Sequence, residues 1–200
     1  MGFFDTEEGV SEYLEMAKGH DGRELIEKLS EHLQPGSTVL ELGMGPGTDL
    51  ELLSKRYEVT GSDNSSLFIE TYRKVNPEAE LLLLDAVTLE TDRRFDCLFS
   101  NKVLHHLMRE DLEKSVPRQA DILEEGGLLA HAFWYGDKVE EHGGLHFQYY
   151  EESDLQELFG DHFDVVLMER YEELDPGDSI FAVFRKRSNH IADVIPSGAP

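Results

Sequence analysis

The residues best suited to chemistry in this chain are acids and glycines that recur at the ends of apolar runs. Glu41, Gly43, Gly45 and Gly47 alternate through Val39 to Thr48, which reads as a strand ending in a tight turn just before a helical pattern. Asp63 closes the next strand-like run, twenty residues after Gly43, and Asp85 closes the one after that. Asn64, Ala86 and Asn101 stand beside or at the same kind of run end. Glycine has no Cβ and accepts positive φ, so glycines at alternate positions let a ligand lie directly on the backbone. A carboxylate at the end of the second strand can accept hydrogen bonds from both hydroxyls of a ribose, and the offset from the glycines is that of nucleoside-binding βαβ units. Asp63 also suits a helix cap or Asx turn before Asn64-Ser65-Ser66, a role that can coexist with ribose contact.

Spacing narrows the ligand. A dinucleotide fingerprint would need its third glycine at position 48, which is Thr48, and a phosphate-binding Walker loop would need a lysine that does not occur between Gly43 and Leu53. What stands is E-x-G-x-G-x-G, Glu41 through Gly47, which resembles the first motif of class I S-adenosylmethionine-dependent methyltransferases. Two further stretches are similar to that family: Lys102-Val103-Leu104-His105-His106-Leu107 after the fourth strand, and Leu123-Glu124-Glu125-Gly126-Gly127 before the fifth. The resemblance covers roughly residues 37 to 135 by motif. It implies S-adenosylmethionine as cofactor and S-adenosylhomocysteine as product, with Glu41 toward the methionine end and Asp85 with Ala86 reading the adenine. It also implies that N-terminal helices lie over the cofactor, which makes Tyr13 and Met16 lid candidates; aromatics and methionines at helical spacing also pack simply as core.

Methyl transfer from a sulfonium is an in-line displacement on an activated carbon, so positioning and exclusion of water dominate. An oxygen or nitrogen acceptor must also lose a proton, for which histidine is suited near neutral pH. Of nine histidines, His105, His106, His142 and His146 fall on segments expected near the open face. His106 and His146 are the candidate bases or substrate-orienting groups, and His105 and Tyr149 candidate substrate contacts; either Tyr149 or Tyr150 can equally pack in the core. His142 and His146 with Glu140 or Glu141 could also ligate a divalent ion, but their spacing across Gly143-Gly144 matches no helical metal motif, and no metal is expected.

The elements that must carry these groups alternate. Helical spacing covers 6–18 and 22–33, then 48–55, 65–75, 109–124 and 151–159. Strands are expected at 38–42, 57–63, 80–86, 95–101, 128–134, 163–169 and 179–187, with 135–150 a glycine-punctuated loop. The four leucines Leu81 to Leu84 suggest a strand buried on both faces. The expected fold is α/β and Rossmann-like: a seven-stranded, mostly parallel sheet with an antiparallel last strand, helices on both faces and an N-terminal helical extension. One domain is expected over 1–200, with an extension at 1–35, a core at 36–187 and a tail at 188–200.

Composition bounds the partners. Forty-two acidic against 18 basic residues give a formal charge of −24, a field that repels nucleic acid. The single cysteine, Cys97, lies in an apolar run and cannot form an internal disulfide, and no run of 18 apolar residues occurs. A cytoplasmic monomer or homodimer acting on a small molecule is the expectation, with no nucleic acid and no membrane. The other readings are a non-catalytic module that binds S-adenosylmethionine or S-adenosylhomocysteine and docks a protein through its acidic surface, and a nicotinamide oxidoreductase, which Thr48 disfavours.

Overall fold

A computed structural model describes residues 6, 8–10, 19 and 21–188. The lid candidates Tyr13 and Met16 and the tail beyond 188 lie outside the described residues. Helix α1 (Arg23–Leu29) leads into β1 (Thr38–Leu42), α2 (Thr48–Leu53), β2 (Glu58–Asp63), α3 (Ser66–Val75), β3 (Leu81–Leu83) and β4 (Phe95–Asn101). A single 3₁₀ turn, Leu104–His106, precedes α4 (Arg109–Asp121) and β5 (Leu123–Trp134). Then come β6 (Val139–His142), β7 (Leu145–Gln148), α5 (Glu152–Phe159), β8 (Phe163–Tyr171) and β9 (Ser179–Lys186).

Seven strands form one sheet in the order β3-β2-β1-β4-β5-β9-β8. Strands β1 to β5 pair in parallel, and β9 runs antiparallel to both β5 and β8, as the sequence pattern implies. The chain reverses its direction of growth between β1 and β4, so their carboxyl ends flank the switch point where open α/β sheets bind ligands. Because β9 is antiparallel to β5, and β8 to β9, the β8–β9 turn falls at this same edge.

Side chains alternate across the sheet, and both faces are covered. Leu40 and Leu98 join Leu112 and Val116 of α4 and Leu155 and Phe159 of α5, while their neighbours Val39, Cys97 and Phe99 join Leu25, Ile26 and Leu29 of α1 on the opposite face. Burial pushes the Cys97 thiol up, consistent with a small packed hydrophobe. Phe159 is fully buried, with its ring stacked 4.7 Å from that of Phe184.

Two sequence expectations need correction. The leucine run does not make a strand buried on both faces: β3 is three residues long and leaves Leu83 63% exposed, because it lies at the sheet edge with β2 as its one neighbour among the described strands. Residues 135–150 are not simply a loop. They contain a β6–β7 hairpin whose turn is Gly143-Gly144, with φ of 60° and 81°, the left-handed values that two-residue hairpin turns require. Tyr150 is the member of the tyrosine pair that packs in the core, edge-on to Phe133.

Truncating Phe159 to alanine removes its stack on Phe184 and leaves a cavity between α5 and the sheet. A loss of about 3–5 kcal/mol in unfolding free energy is expected, read from the midpoint of urea denaturation.

Candidate functional site

The glycine turn is shaped by what touches it. Gly43, Gly45 and Gly47 all take positive φ, at 67°, 49° and 87°. A Cβ on Gly43 would collide with the Val103 side chain, and one on Gly47 with the Tyr72 ring, so the turn could not pack so tightly with any other residue. Asp63 holds the turn from the next strand: its carboxylate accepts from the Gly45 amide at 2.9 Å and from the Ser65 amide at 2.8 Å. The Ser62 hydroxyl donates to the Glu41 carbonyl at 2.7 Å, so β1 and β2 are tied together by side chains as well as by their ladder.

A cleft of about 260 Å³ opens beyond β1 and β4, lined among others by Glu41, Gly43, Asp49, Asn101, His105 and Trp134. A second cavity of about 120 Å³ adjoins it over β2 and β3, lined by Asp63, Asn64, Asp85 and Ala86 among others. Gly43, Lys102 and His106 line both. Every cofactor-binding candidate except Gly47 therefore borders one of these two adjoining cavities, together called the groove, and Gly47 shapes the turn behind it.

Acids dominate the groove. Glu41 is buried, and its Oε2 has no hydrogen-bond partner among the described residues; burial, then Asp49 and Asp63, hold its carboxyl well above the usual range. Asp49 accepts from the Gly22 amide at 2.7 Å and from Asn101 Nδ2 at 3.0 Å, and burial raises its pKa against those two bonds. Asp63 is raised by burial too, with the amides of Ser65, Gly45 and Asn64 opposing. Three desolvated carboxyl groups with an unused acceptor atom match a ligand that brings positive charge and hydrogen-bond donors. Asp85 is exposed and caps its own loop, accepting from the amides of Val87 at 2.6 Å and Thr88 at 3.3 Å.

The histidines separate in role. His105 is buried, with its ring stacked on Phe147 at 5.4 Å and 4.0 Å from the ring of His106, and burial drives its pKa well below the usual value. His106 is lowered by burial as well, and its Nδ1 donates to the His146 carbonyl at 2.7 Å, which places the lone pair of the neutral ring on Nε2. The His146 ring is not among the residues lining the groove: it turns to Glu141 at 2.7 Å, and β7 presents its backbone carbonyl to His106. Tyr149 likewise lies outside the lining, with its hydroxyl on Glu140 at 2.9 Å. No group of three or more metal-ligating side chains occurs among the described residues.

Sequence reasoning missed Asp49, Lys102, Trp134, Phe147 and Glu173, all on the groove wall. Lys102 follows β4 with φ of 56°, uncommon for a residue with a side chain. Its ammonium donates to the Phe133 carbonyl at 3.1 Å and the Ser179 hydroxyl at 2.5 Å and lies 3.6 Å from the centre of the Trp134 ring. Burial lowers its pKa to about 7, with Glu173 and Asp178 opposing.

Behind the groove runs a buried chain of hydrogen bonds. Ser115 donates to the Ala86 carbonyl at 2.5 Å and accepts from Gln119 Nε2 at 3.0 Å. Gln119 Oε1 accepts from His131 Nε2 at 2.9 Å, so the Nδ1 of the neutral ring accepts from the Ser100 hydroxyl at 2.8 Å. Ser100, Ser115, Gln119 and His131 are all fully buried. The chain joins the loop after β3 to the end of β4.

Comparison with known proteins agrees with this architecture. Residues 39–127 match the family described as "Methyltransferase domain". The chain is similar to trans-aconitate 2-methyltransferase of Variovorax paradoxus, 34% identical over 102 residues that make up 49% of this chain and 39% of the relative. The same enzyme of an Enterobacter species is 30% identical over 110 residues, 54% of this chain and 42% of the relative. The chain thus matches about two fifths of these curated relatives' length. Among solved structures, 1,6-didemethyltoxoflavin-N1-methyltransferase of Burkholderia thailandensis shares the fold at a TM-score of 0.77 and 19% identity, covering 90% of this chain and 85% of that one. The N-methyltransferase NodS of Bradyrhizobium japonicum shares it at 0.68 and 16% identity, covering 90% and 99%.

One buried histidine behind the groove has a pH signature. His131 drops from 6.5 to about 3 through burial, so its contribution to stability is complete above pH 6.5 and is lost as pH falls from there toward 3. Relative to a His131→Gln variant, the wild type is expected to lose about 1.4 kcal/mol per pH unit across that window, measured by urea unfolding at a series of pH values; a difference independent of pH would contradict it.

Proposed function

We propose that this chain binds S-adenosylmethionine in the groove and transfers its methyl group to a small-molecule acceptor, releasing S-adenosylhomocysteine. The observation that carries the reading is the buried Glu41 carboxyl, with an unpartnered oxygen, beside a glycine turn clamped by Asp63. A sulfonium and an ammonium are the charges such a site can take up; a phosphate is not. When bound, the donor supplies an activated methyl carbon.

Each residue then has a part. A carboxylate offers about four acceptor sites. Asp63 uses three on the backbone amides of Gly45, Asn64 and Ser65 and keeps capacity for the ribose hydroxyls. Asp85 and Ala86 border the adenine, and Ser115 fixes the Ala86 carbonyl from behind. Gly43, Gly45 and Gly47 give the methionine part room against the backbone, and Glu41 and Asn101 receive its polar end. His106 is the proton acceptor through Nε2, oriented by the His146 carbonyl; His105 and Phe147 wall the acceptor side. Tyr13 and Met16 are retained as lid residues on resemblance alone.

The same reading makes 1–200 one methyltransferase domain with its core at 36–187, cytoplasmic, acting as a monomer or homodimer without nucleic acid or membrane. The charge of −24 and the single cysteine support it. Among the described residues no helix is long and apolar enough to cross a membrane.

Titration calorimetry is expected to show binding of S-adenosylmethionine and S-adenosylhomocysteine with Kd on the order of micromolar, and none of NAD. Asp63→Ala should weaken both by about tenfold or more, with circular dichroism confirming that the variant is folded. Tight NAD binding, or an Asp63→Ala variant of unchanged affinity, would sink the assignment. Donor binding without methyl transfer to any component of a cell extract would favour the non-catalytic module.

A further inference from the structure

The groove half that remains once the donor is placed has its own character. Its walls are flat rings with an apolar rim: Trp134 edge-on to His105 at 6.4 Å, His105 stacked on Phe147, and Leu174 standing 64% exposed at the rim. Its charge is negative. Glu173 lines it, and Asp178 fixes the backbone there by accepting from the amides of Glu173 at 2.9 Å, Leu174 at 3.0 Å and Asp175 at 2.9 Å. Glu173 is therefore held at the mouth by a rigid turn and not by a wandering loop.

Among the described lining residues the one lysine or arginine is Lys102. Its ammonium is committed to the wall, bonded to Phe133 and Ser179 and covered by Trp134. An acceptor carrying several carboxylates needs its charges compensated where it is desolvated, and guanidinium pairs are the usual means. Here it would meet Glu41, Asp49 and Glu173 inside a field of net charge −24. An N–H group on a planar ring meets aromatic faces and a fixed carboxylate acceptor instead.

We propose that the methyl acceptor is an amine nitrogen on a flat, carboxylate-free ring system, recognised through its N–H by Glu173 and through its ring by Trp134 and Phe147. The inference rests on the proposed donor site and departs from the tricarboxylate named for the curated relatives. In the transfer, the nitrogen lone pair forms the new N–C bond as the donor's C–S bond breaks and its electron pair returns to sulfur. The surplus proton on nitrogen passes to Nε2 of His106.

The test uses the full chain with donor labelled in its methyl group and two acceptor panels: aryl and heteroaryl amines, and di- and tricarboxylates including trans-aconitate. Transfer to at least one amine should exceed that to every carboxylate by about tenfold or more. Glu173→Gln should raise KM for that amine by about tenfold with kcat nearly unchanged and donor affinity intact. Carboxylate methylation at an equal or greater rate overturns the proposal, as does donor binding with neither panel methylated. An unchanged KM in Glu173→Gln removes Glu173 from the recognition. Failure of donor binding in calorimetry is a separate result that takes down the donor reading beneath it.

Discussion

The architecture of the site depends on one buried carboxylate. Asp63 sits at the end of β2 and accepts from amides in two different segments, the Gly45 turn after β1 and the Ser65 entry to α3. Parallel strands have no short turn between them to fix their ends, so the ends of β1 and β2 need a direct tie. Asp63 provides it, and the positive-φ glycines can then hold their shape against Val103 and Tyr72. Without that tie, the glycine turn would be the most flexible segment at the edge of the sheet.

The same carboxylate belongs to a set of acids that burial works against. Glu41, Asp49 and Asp63 all have raised pKa values with burial as the leading cause, and each lies within the field of another acid or of its own desolvation. Such a cluster opposes folding as pH rises through those values, since the unfolded chain ionises more readily. A cation arriving in the groove reverses the balance by favouring the charged forms. Stability and ligand preference are thus two readings of one electrostatic arrangement, and a protein that kept the acids without the ligand would carry only the destabilising half.

Much of this was legible in the residue order. Glycine and acid positions at successive strand ends, and the alternation of elements, lead to the sheet and its switch point because they rest on local pattern. The misreadings have local causes as well. The β6–β7 hairpin lacks hydrophobic alternation, since β6 is exposed throughout, and only Gly143-Gly144 signalled it. Four leucines in a row suggested depth where only an edge exists. Asp49 stands in the first turn of α2, as helix acids commonly do, and nothing local shows that it reaches Gly22 and Asn101. Glu173 and Leu174 come to the groove because β9 is antiparallel to β5 and β8 to β9, which puts their turn at the carboxyl edge. An expected antiparallel last strand already contained that consequence. Lys102 sits between an apolar strand and an apolar turn, so its ammonium must find partners inside, although nothing local names them.

The buried chain from Ser100 through His131, Gln119 and Ser115 to Ala86 acts as a strut between the sheet interior and the loop beside Asp85. That loop follows an edge strand of three residues and would otherwise sample many shapes. Because the strut forms as the chain folds, the loop surrenders its freedom then. A ligand that arrives later meets a surface already at rest, and its binding free energy is not drained by ordering the surface that receives it.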